Sequence, residues 1–216
     1  MTLPRQRLKR AFDLTVGLVA LLFLLVPMIV IAILVRRDLG SPVLFRQQRP
    51  GFGCQPFWLI KFRTMRNATD AQGNLLPDGE RLTMFGRWLR KTSLDELPEV
   101  INVIRGEMSF VGPRPLLMSY VPYFTEREQL RHSVRPGITG WAQVNGRNHL
   151  CWDKRLALDA WYVENVSMSL DLRILLKTLL VVITNDGVAV NTDEKETRLS
   201  DERQGQAGDL SSPVAP

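Results

Sequence analysis

The hydrophobic pattern of the chain is dominated by one uninterrupted apolar run near its start. Residues 16–35, VGLVALLFLLVPMIVIAILV, form a stretch of 20 residues without a charge. At about 1.5 Å per helical residue, this length matches a bilayer hydrocarbon core of about 30 Å. The run therefore predicts a helix in a membrane.

Both flanks of this run are cationic, which bears on how the helix lies in the membrane. The basic residues are Arg5, Arg7, Lys9 and Arg10 before it, and Arg36, Arg37, Arg46 and Arg49 after it. A spanning helix usually has one flank poor in Lys and Arg. Pro27, just past the middle, removes a helix hydrogen bond and favours a kink. Two alternatives stay open from the residues: a helix that bends at Pro27 and returns to the same face, and a straight single-pass helix.

A second apolar segment, residues 170–183, has a different pattern. In LDLRILLKTLLVVI the few polar side chains fall roughly on one side of a helix. Such a segment suits an amphipathic helix in the membrane interface, and it suits a core helix equally well.

The remaining pattern predicts a mainly helical α/β fold. Residues 40–65 place two short apolar runs around a Pro- and Gly-rich centre, as in an irregular hairpin, and residues 66–80 form a loop. Helices are predicted over 81–91, 92–106, 120–132 and 153–166. We divide the chain into a basic N-terminus with the membrane helix (1–38), a compact cytosolic catalytic domain with interfacial helices (39–190) and a polar, disordered tail (191–216).

The composition indicates which binding partners and which kind of metal site suit the chain. With 28 Lys and Arg against 22 Asp and Glu, the formal charge is +6 and the pI about 9.7, which suits anionic partners. Nucleic acid is disfavoured, because the cations flank the apolar run and a carboxylate pair and are not interleaved with aromatic residues. Cys54 and Cys151 are far apart, and only two histidines occur, so a bound metal would be a hard ion on carboxylates.

That carboxylate pair is Asp95–Glu96. Ser93 and Glu96 fit an S-x-x-E capping box, which predicts both carboxylates in the first turn of a helix. Capping and the helix dipole would by themselves account for them. Pro98 allows a different start, nearer Leu97.

The surrounding cations favour a catalytic interpretation. Arg87, Arg90 and Lys91 precede the pair, and Arg114 follows it in a GPRP motif. Adjacent carboxylates can hold a divalent ion and offer an oxygen nucleophile, while guanidinium groups bind phosphate oxygens. These are the groups that phosphoryl transfer needs.

The motifs, taken in order, resemble one known family. They are KRAFDL, FRQQRPGFG, KFRTM, GRWLRKTSLDELPEVINVIRGEMSFVGPRPLL, RPGITGWAQVNGRN and WYVENVSMSLDLRILLKT, which together extend over about 170 residues. The chain resembles the bacterial sugar transferases, in particular the small monotopic polyprenyl phosphate sugar-1-phosphate transferases. Cys54-Gln55 departs from the Gly-Lys that is frequent in that family.

The resemblance implies a function and a site. A UDP-sugar, in the small form often an N-acetylated or amino-modified hexose, would donate its sugar 1-phosphate to undecaprenyl phosphate and release UMP, as the first membrane step of glycoconjugate assembly. The implied catalytic pair is Asp95, as nucleophile, and Glu96, and both carboxylates would hold Mg²⁺. The other implied site residues are Arg90, Arg114, Lys61 and Arg63 for phosphate, Gln143, Asn145 and Arg147 in the substrate pocket, and Pro27 at the helix break.

The resemblance also implies a place in the cell. It favours the re-entrant helix, with both termini at the cytoplasmic face of the bacterial inner membrane and phospholipid around the helix. A non-catalytic membrane-anchored nucleotide-sugar-binding or scaffold module is the alternative, and the intact dyad argues against it. A metal-assisted pyrophosphate hydrolase is disfavoured, because a soluble substrate would not need a membrane-facing surface.

Overall fold

The chain begins with a long helix whose middle part is largely exposed. The computed structural model describes residues 3–146, 150–184 and 199–203. Helix α1, Leu3–Leu39, has 37 residues, and its portion Gln6–Leu39 is, within the described ranges, the one helix long and apolar enough to cross a membrane. Pro27 lies inside α1 and the helix is continuous through it, so the return to the same face stays a prediction.

The middle and the ends of α1 have different surroundings. Leu22, Phe23 and Val26 are 72%, 73% and 67% exposed, which is unusual for adjacent large apolar side chains in water. Near the N-terminus, Arg10 donates to the carbonyls of Val103 and Ile104 at 2.6 and 2.7 Å. Towards the C-terminus, Ile31 and Val35 are buried against the hairpin and α3. Both ends of α1 therefore pack on the same domain.

The predicted hairpin is confirmed. Strands β1, Leu44–Pro50, and β2, Pro56–Phe62, pair antiparallel, with Leu44 opposite Phe62. The link between them turns at Gly53 and Cys54, whose φ angles are 61° and 62°; a glycine adopts this left-handed conformation readily, whereas a cysteine rarely does.

The other helices surround this hairpin. They are α2 Asp78–Arg81, α3 Met84–Lys91, α4 Glu99–Arg105, α5 Glu126–Gln129, α6 Trp141–Val144, α7 Trp152–Glu164 and α8 Met168–Thr184. Those predicted over 81–91, 153–166 and 170–183 are confirmed, as is the end of a helix near Gly106, which has a left-handed φ of 84°. A mainly helical fold with short strands is thus confirmed.

The single helix predicted over 120–132 is wrong. Two 3-10 turns, Met118–Tyr123 and Leu130–Ser133, lie on either side of the short α5. Pro122 lacks the N–H that a continuing helix would use. Thr125 then starts a new helix with Glu128 in a reciprocal capping box.

A parallel strand pair, absent from our sequence prediction, brings two loops together. Strand β3, Ser109–Val111, pairs with β4, Gly137–Thr139. The backbones approach closely beyond the strands, since a Cβ added to Gly140 would lie 2.3 Å from the carbonyl oxygen of Gly112. Both strands end at the same edge, so the loop after β3 lies beside α6.

Helix α8 combines a buried and an exposed face. Ile174 is fully buried, and Asp171 accepts from the Tyr162 hydroxyl at 2.7 Å and pairs with Lys9 at 2.5 Å. The outward side chains are leucines at helical spacing, between 56% and 63% exposed: Leu172, Leu176, Leu179 and Leu180. The helix is therefore amphipathic, with its apolar face turned away from the domain.

The predicted disordered tail lies outside the described residues except for 199–203. There Leu199 is fully buried among Tyr120, Phe124, Trp152 and Leu156. Arg203 pairs with Glu128 and with Asp153 at 2.7 and 2.8 Å. This short segment packs on the surface formed by α5, α7 and the first 3-10 turn.

Candidate active site

Asp95 and Glu96 lie in a tight turn between two helices. The 3-10 turn Leu94–Glu96 follows α3 and precedes α4. Since Pro98 has no N–H to offer the Leu94 carbonyl, that carbonyl accepts from Leu97 N–H instead, at 3.4 Å. The two carboxylates are thus held in a short, sharply turned segment.

The predicted Ser93–Glu96 capping box is wrong. Ser93 has a φ of 56°, a left-handed conformation that non-glycine residues rarely adopt, and its side chain caps nothing. Glu96 turns towards cations from other elements, and α4 begins only at Glu99. Of the two predicted helix starts, the one near Leu97 is closer to the observed start at Glu99. The strained backbone of Ser93 is of a kind that tends to occur at functional sites.

Two cations hold Glu96. Lys61 Nζ, at the end of β2, lies 2.7 Å from Glu96 Oε1, and Arg114 Nη2 lies 2.5 Å from the same oxygen. Lys61 also reaches Glu99 Oε1 at 3.1 Å. The structure therefore brings Lys61, Glu96, Glu99 and Arg114 together from three separate parts of the chain.

The carboxyl groups of this cluster differ in pKa. Burial, reinforced by the charge of Glu96, raises the pKa of Asp95 to about 6 against the opposing effect of Lys61 and Arg114. Burial alone would raise the pKa of Glu96 too, but Arg114 and Lys61 outweigh it and hold that pKa well below its usual range. Burial also raises the pKa of Glu99. Glu96, whose pKa is lowered, thus lies between two carboxyl groups, Asp95 and Glu99, whose pKa values are raised.

Asp95 is the less constrained member of the pair. Its residue is 9% exposed, and its carboxylate accepts no hydrogen bond from the residues that the structure describes. Arg90 is close enough for its charge to oppose the rise in the Asp95 pKa, and its Nε donates to Thr64 at 3.0 Å. The Asp95 oxygens are therefore surrounded by positive charge without being bound by it.

Arg63 does not join this cluster. Its guanidinium donates to the carbonyls of Ser41, at 3.1 Å, and of Leu39. Those carbonyls lie at the C-terminal end of α1, where a cation is favourable. The described contacts give Arg63 the role of tying α1 to the hairpin, and they do not support the predicted phosphate contact.

The predicted substrate-pocket residues lie at the edge of the parallel strand pair. Gln143 donates to the Ile138 carbonyl at 2.9 Å, and its Oε1 is buried without a hydrogen-bond partner among the described residues. Asn145 Oδ1 accepts from Lys177 at 3.0 Å. Arg147 lies outside the described residues.

Sequence reasoning missed Glu99 as a member of the cluster. Glu99 is 2% exposed and follows Glu96 by three residues, a spacing that places two side chains on one face of a helical turn. That spacing was the available signal. The contact with Lys61, by contrast, joins residues 38 positions apart and has no local signature.

The carboxylates of the cluster bear on whether a metal ion can bind here. Over residues 3–146, 150–184 and 199–203, no group of three or more His, Cys, Asp or Glu side chains is arranged to hold one. Mg²⁺ usually binds one or two carboxylates and completes its shell with water and substrate phosphates. Asp95 and Glu96 fit such a partial, all-oxygen site.

The sequence of this chain is similar to those of known proteins. The model of the bacterial sugar transferase family matches residues 4–185, which include every member of the carboxylate cluster. The chain belongs to the bacterial sugar transferase family. The transferase is 49% identical over 205 residues to an uncharacterized sugar transferase, EpsL, of Bacillus subtilis, covering 95% of this chain and 99% of EpsL.

Two longer relatives have names that state a reaction. The undecaprenyl-phosphate glucose phosphotransferase of Komagataeibacter xylinus is 41% identical over 79% of the transferase and 35% of the relative. The UDP-N-acetylgalactosamine-undecaprenyl-phosphate N-acetylgalactosaminephosphotransferase of Aeromonas hydrophila is 37% identical over 83% of the transferase and 44% of the relative. The transferase thus spans less than half of each of these two, while it spans nearly all of EpsL.

Proposed function

We propose that this chain transfers a sugar 1-phosphate from a UDP-sugar to undecaprenyl phosphate and releases UMP. The observation that carries the proposal is the arrangement around Asp95: a carboxylate with a pKa of about 6 that accepts no hydrogen bond from the described residues, beside a Glu96 held by Lys61 and Arg114. Such a group can act as a nucleophile towards phosphorus in a positively charged site. The names of the two longer relatives support the donor and acceptor classes.

The chemical steps balance without a further reactant. An ionised Asp95 oxygen attacks the β-phosphorus of the UDP-sugar, the bond from that phosphorus to the bridging oxygen breaks, and UMP leaves with the electron pair. An oxygen of undecaprenyl phosphate then attacks the same phosphorus and restores the Asp95 carboxylate. The product is a sugar joined to the lipid through a diphosphate.

The cations have separate roles in this scheme. Arg114 and Arg90 bind phosphate oxygens, and Lys61 keeps Glu96 and Glu99 oriented. Mg²⁺ held by Asp95 or Glu96 together with the donor phosphates would neutralise negative charge when bound. Glu96, whose pKa is low, stays ionised throughout.

A donor panel tests the proposal as a whole. Purified full-length enzyme with undecaprenyl phosphate and single UDP-hexoses or UDP-N-acetylhexosamines is expected to release UMP from at least one donor and to form the lipid-linked product. The N-acetylated or amino-modified sugar stays a prediction, since the two named relatives carry glucose and N-acetylgalactosamine in their names. No UMP from any donor would favour a binding module, and steady release without lipid would favour a hydrolase.

The raised pKa of Asp95 predicts the pH dependence of the reaction. Only the ionised carboxylate attacks, so kcat/KM should rise with pH through about 6 and level off above it. At one pH unit below the pKa only about a tenth of the enzyme is ionised, and kcat/KM should be about tenfold lower than at pH 8. Initial rates between pH 5 and 8 on enzyme whose folding is verified at each pH measure this. A flat profile would contradict it.

We also propose that α1 is re-entrant and that α8 lies in the membrane interface at the cytoplasmic face of the bacterial inner membrane. A straight α1 would separate Lys9 from Val35 by roughly 39 Å, more than the hydrocarbon core. Yet Lys9 pairs with Asp171 and Val35 packs on Phe62, all within one domain. Placing both ends of α1 at one face reconciles these contacts with the exposed apolar middle, and the exposed leucines of α8 would then meet the same lipid surface.

Replacement of Pro27 tests the topology. Pro27→Leu restores a helix hydrogen bond and should convert some molecules to a spanning form. The readout is labelling of a cysteine at position 4 by a membrane-impermeant maleimide in whole cells and inverted vesicles, in a background with Cys54→Ser and Cys151→Ser. Val26→Leu is the matched control and should leave labelling confined to inverted vesicles. Labelling of the Pro27-containing protein from the periplasm alone would overturn the proposal.

A further inference from the structure

A buried ion pair lies behind the loop that carries Arg114. Arg131, in the 3-10 turn Leu130–Ser133, and Asp159, on α7, have a nitrogen–oxygen distance of 3.0 Å and side chains only 3% and 5% exposed. The Arg131 guanidinium also lies 5.2 Å from the ring centroid of Phe124. Moving two charges out of water is costly, and apolar pairs of similar size are often as stable, so stability is a weak explanation for such a pair.

The same guanidinium has a contact with the candidate site. Arg131 Nη2, the nitrogen that faces Asp159, donates to the backbone carbonyl of Arg114 at 2.6 Å. Pro113 and Pro115 flank Arg114 and have no N–H, so this segment leaves the ladder of β3. Its carbonyls are held by two donors: Gly137 N–H bonds to Pro113 at 3.0 Å, and Arg131 bonds to Arg114.

Fixing this peptide fixes the direction of the Arg114 side chain. Arg114 is 43% exposed, and its guanidinium reaches Glu96 Oε1 at 2.5 Å. Glu96 is the one side chain that holds the Arg114 guanidinium among the described residues, so the aim of Arg114 also depends on where its backbone lies. Misplacement of a catalytic group by about 1 Å is known to cost on the order of a hundredfold in rate. The hydrogen bond from Arg131 fixes the backbone of Arg114, from which the side chain extends to Glu96.

We propose that Arg131, held in place by Asp159, is a positioning residue that aims Arg114 at Glu96 and at the diphosphate of the donor. The part that concerns the donor rests on the proposed function. The part that concerns Arg114 rests on the hydrogen bond and the ion pair alone. Arg131 itself touches neither the carboxylates nor, in the proposed scheme, the reacting atoms.

Paired substitutions separate positioning from stability. In Arg131→Met/Asp159→Leu both members of the buried pair are removed together, so neither is left behind without the other and thermal stability should be close to that of the wild type. The bond to the Arg114 carbonyl is nonetheless lost. We expect kcat/KM for UMP release to fall roughly ten- to hundredfold. We also expect faster amide hydrogen exchange in a peptide covering residues 112–118, which a purely structural role in α7 would not produce.

Arg203→Met is the matched control. It removes a cation that bridges α5 and α7 through Glu128 and Asp153, and it leaves the Arg131–Arg114 bond intact. It should lower the melting temperature slightly, while kcat/KM and exchange at 112–118 stay at wild-type values.

The outcomes decide between the interpretations. If the first double variant does not fold, Arg131→Met/Asp159→Asn, which keeps the size of the Asp159 side chain, replaces it. A folded variant of either kind with wild-type kcat/KM and wild-type exchange at 112–118 overturns the proposal. If wild-type enzyme releases UMP from no donor, the proposed function fails, while the exchange measurement still tests whether Arg131 holds the Arg114 segment.

Discussion

Asp95→Asn is expected to abolish sugar-phosphate transfer and to raise thermal stability. The amide has the shape of the carboxylate but no attacking oxygen anion, so UMP release should fall roughly thousandfold or more. Burial raises the Asp95 pKa above its unfolded value, so the ionised form opposes folding at pH 7 and above. Removing that charge should therefore increase the melting temperature at pH 8 and increase it much less at pH 4, which lies close to the unfolded pKa, so that most of the destabilisation by the charge is already absent there.

The covalent step gives this prediction a direct readout. Wild-type enzyme mixed with the UDP-sugar found by the donor panel, without lipid, should release one equivalent of UMP and hold the sugar phosphate on a peptide containing Asp95. Acid quenching and mass spectrometry should detect that adduct in the wild type and not in Asp95→Asn. Asp201→Asn, at an exposed position outside the site, is the control and should behave as wild type.

Glu96→Gln distinguishes the two carboxylates. Arg114 and Lys61 lose their shared ionised partner, so the cluster should loosen and both half-reactions should slow. Asp95 is still present, and the adduct should still form. If UMP appears from wild-type enzyme but no Asp95 peptide ever carries the sugar phosphate, direct transfer in a ternary complex replaces the covalent scheme.

The parts of the fold that sequence predicts well are those with a local cause. The apolar run predicts α1, the Pro- and Gly-rich centre predicts the hairpin, and Gly106 marks a helix end because it can adopt a left-handed φ. The parallel pair β3–β4 was not predicted, because strands of three residues show no hydrophobic periodicity. The two strands are also far apart in sequence, so their pairing depends on the tertiary fold.

The candidate site divides in the same way. Asp95 and Glu96 are neighbours in the chain, and the sequence identifies them as a pair. The helical turn predicted for them is wrong, because Pro98 has no N–H to continue an α-helix and this outweighs the capping preference of Ser93 and Glu96. Lys61 and Arg63 have the alternation of one strand face. Yet β2 ends at Phe62, so Lys61 turns to Glu96 while Arg63 turns to α1. No local rule predicts where that strand stops.

Removal of divalent cations is the other change expected to stop the reaction. Lys61, Arg90 and Arg114 face Asp95, Glu96 and Glu99, so the cluster has little net positive charge left for an incoming diphosphate. A hard cation that binds carboxylate and phosphate oxygens together would supply the missing charge. Excess EDTA should therefore reduce UMP release to background, and added Mg²⁺ should restore it.

Two further measurements make the metal requirement specific. EDTA already saturated with Mg²⁺ is the control for effects of the chelator itself, and it should leave the rate unchanged. Thermal stabilisation of the enzyme by UDP should need Mg²⁺ in the wild type and should be weaker in Glu96→Gln, which gives a readout independent of turnover. Full turnover in excess chelator would show that Lys61, Arg90 and Arg114 suffice to neutralise the diphosphate, and the carboxylates would then keep only their roles as nucleophile and as anchor for those cations.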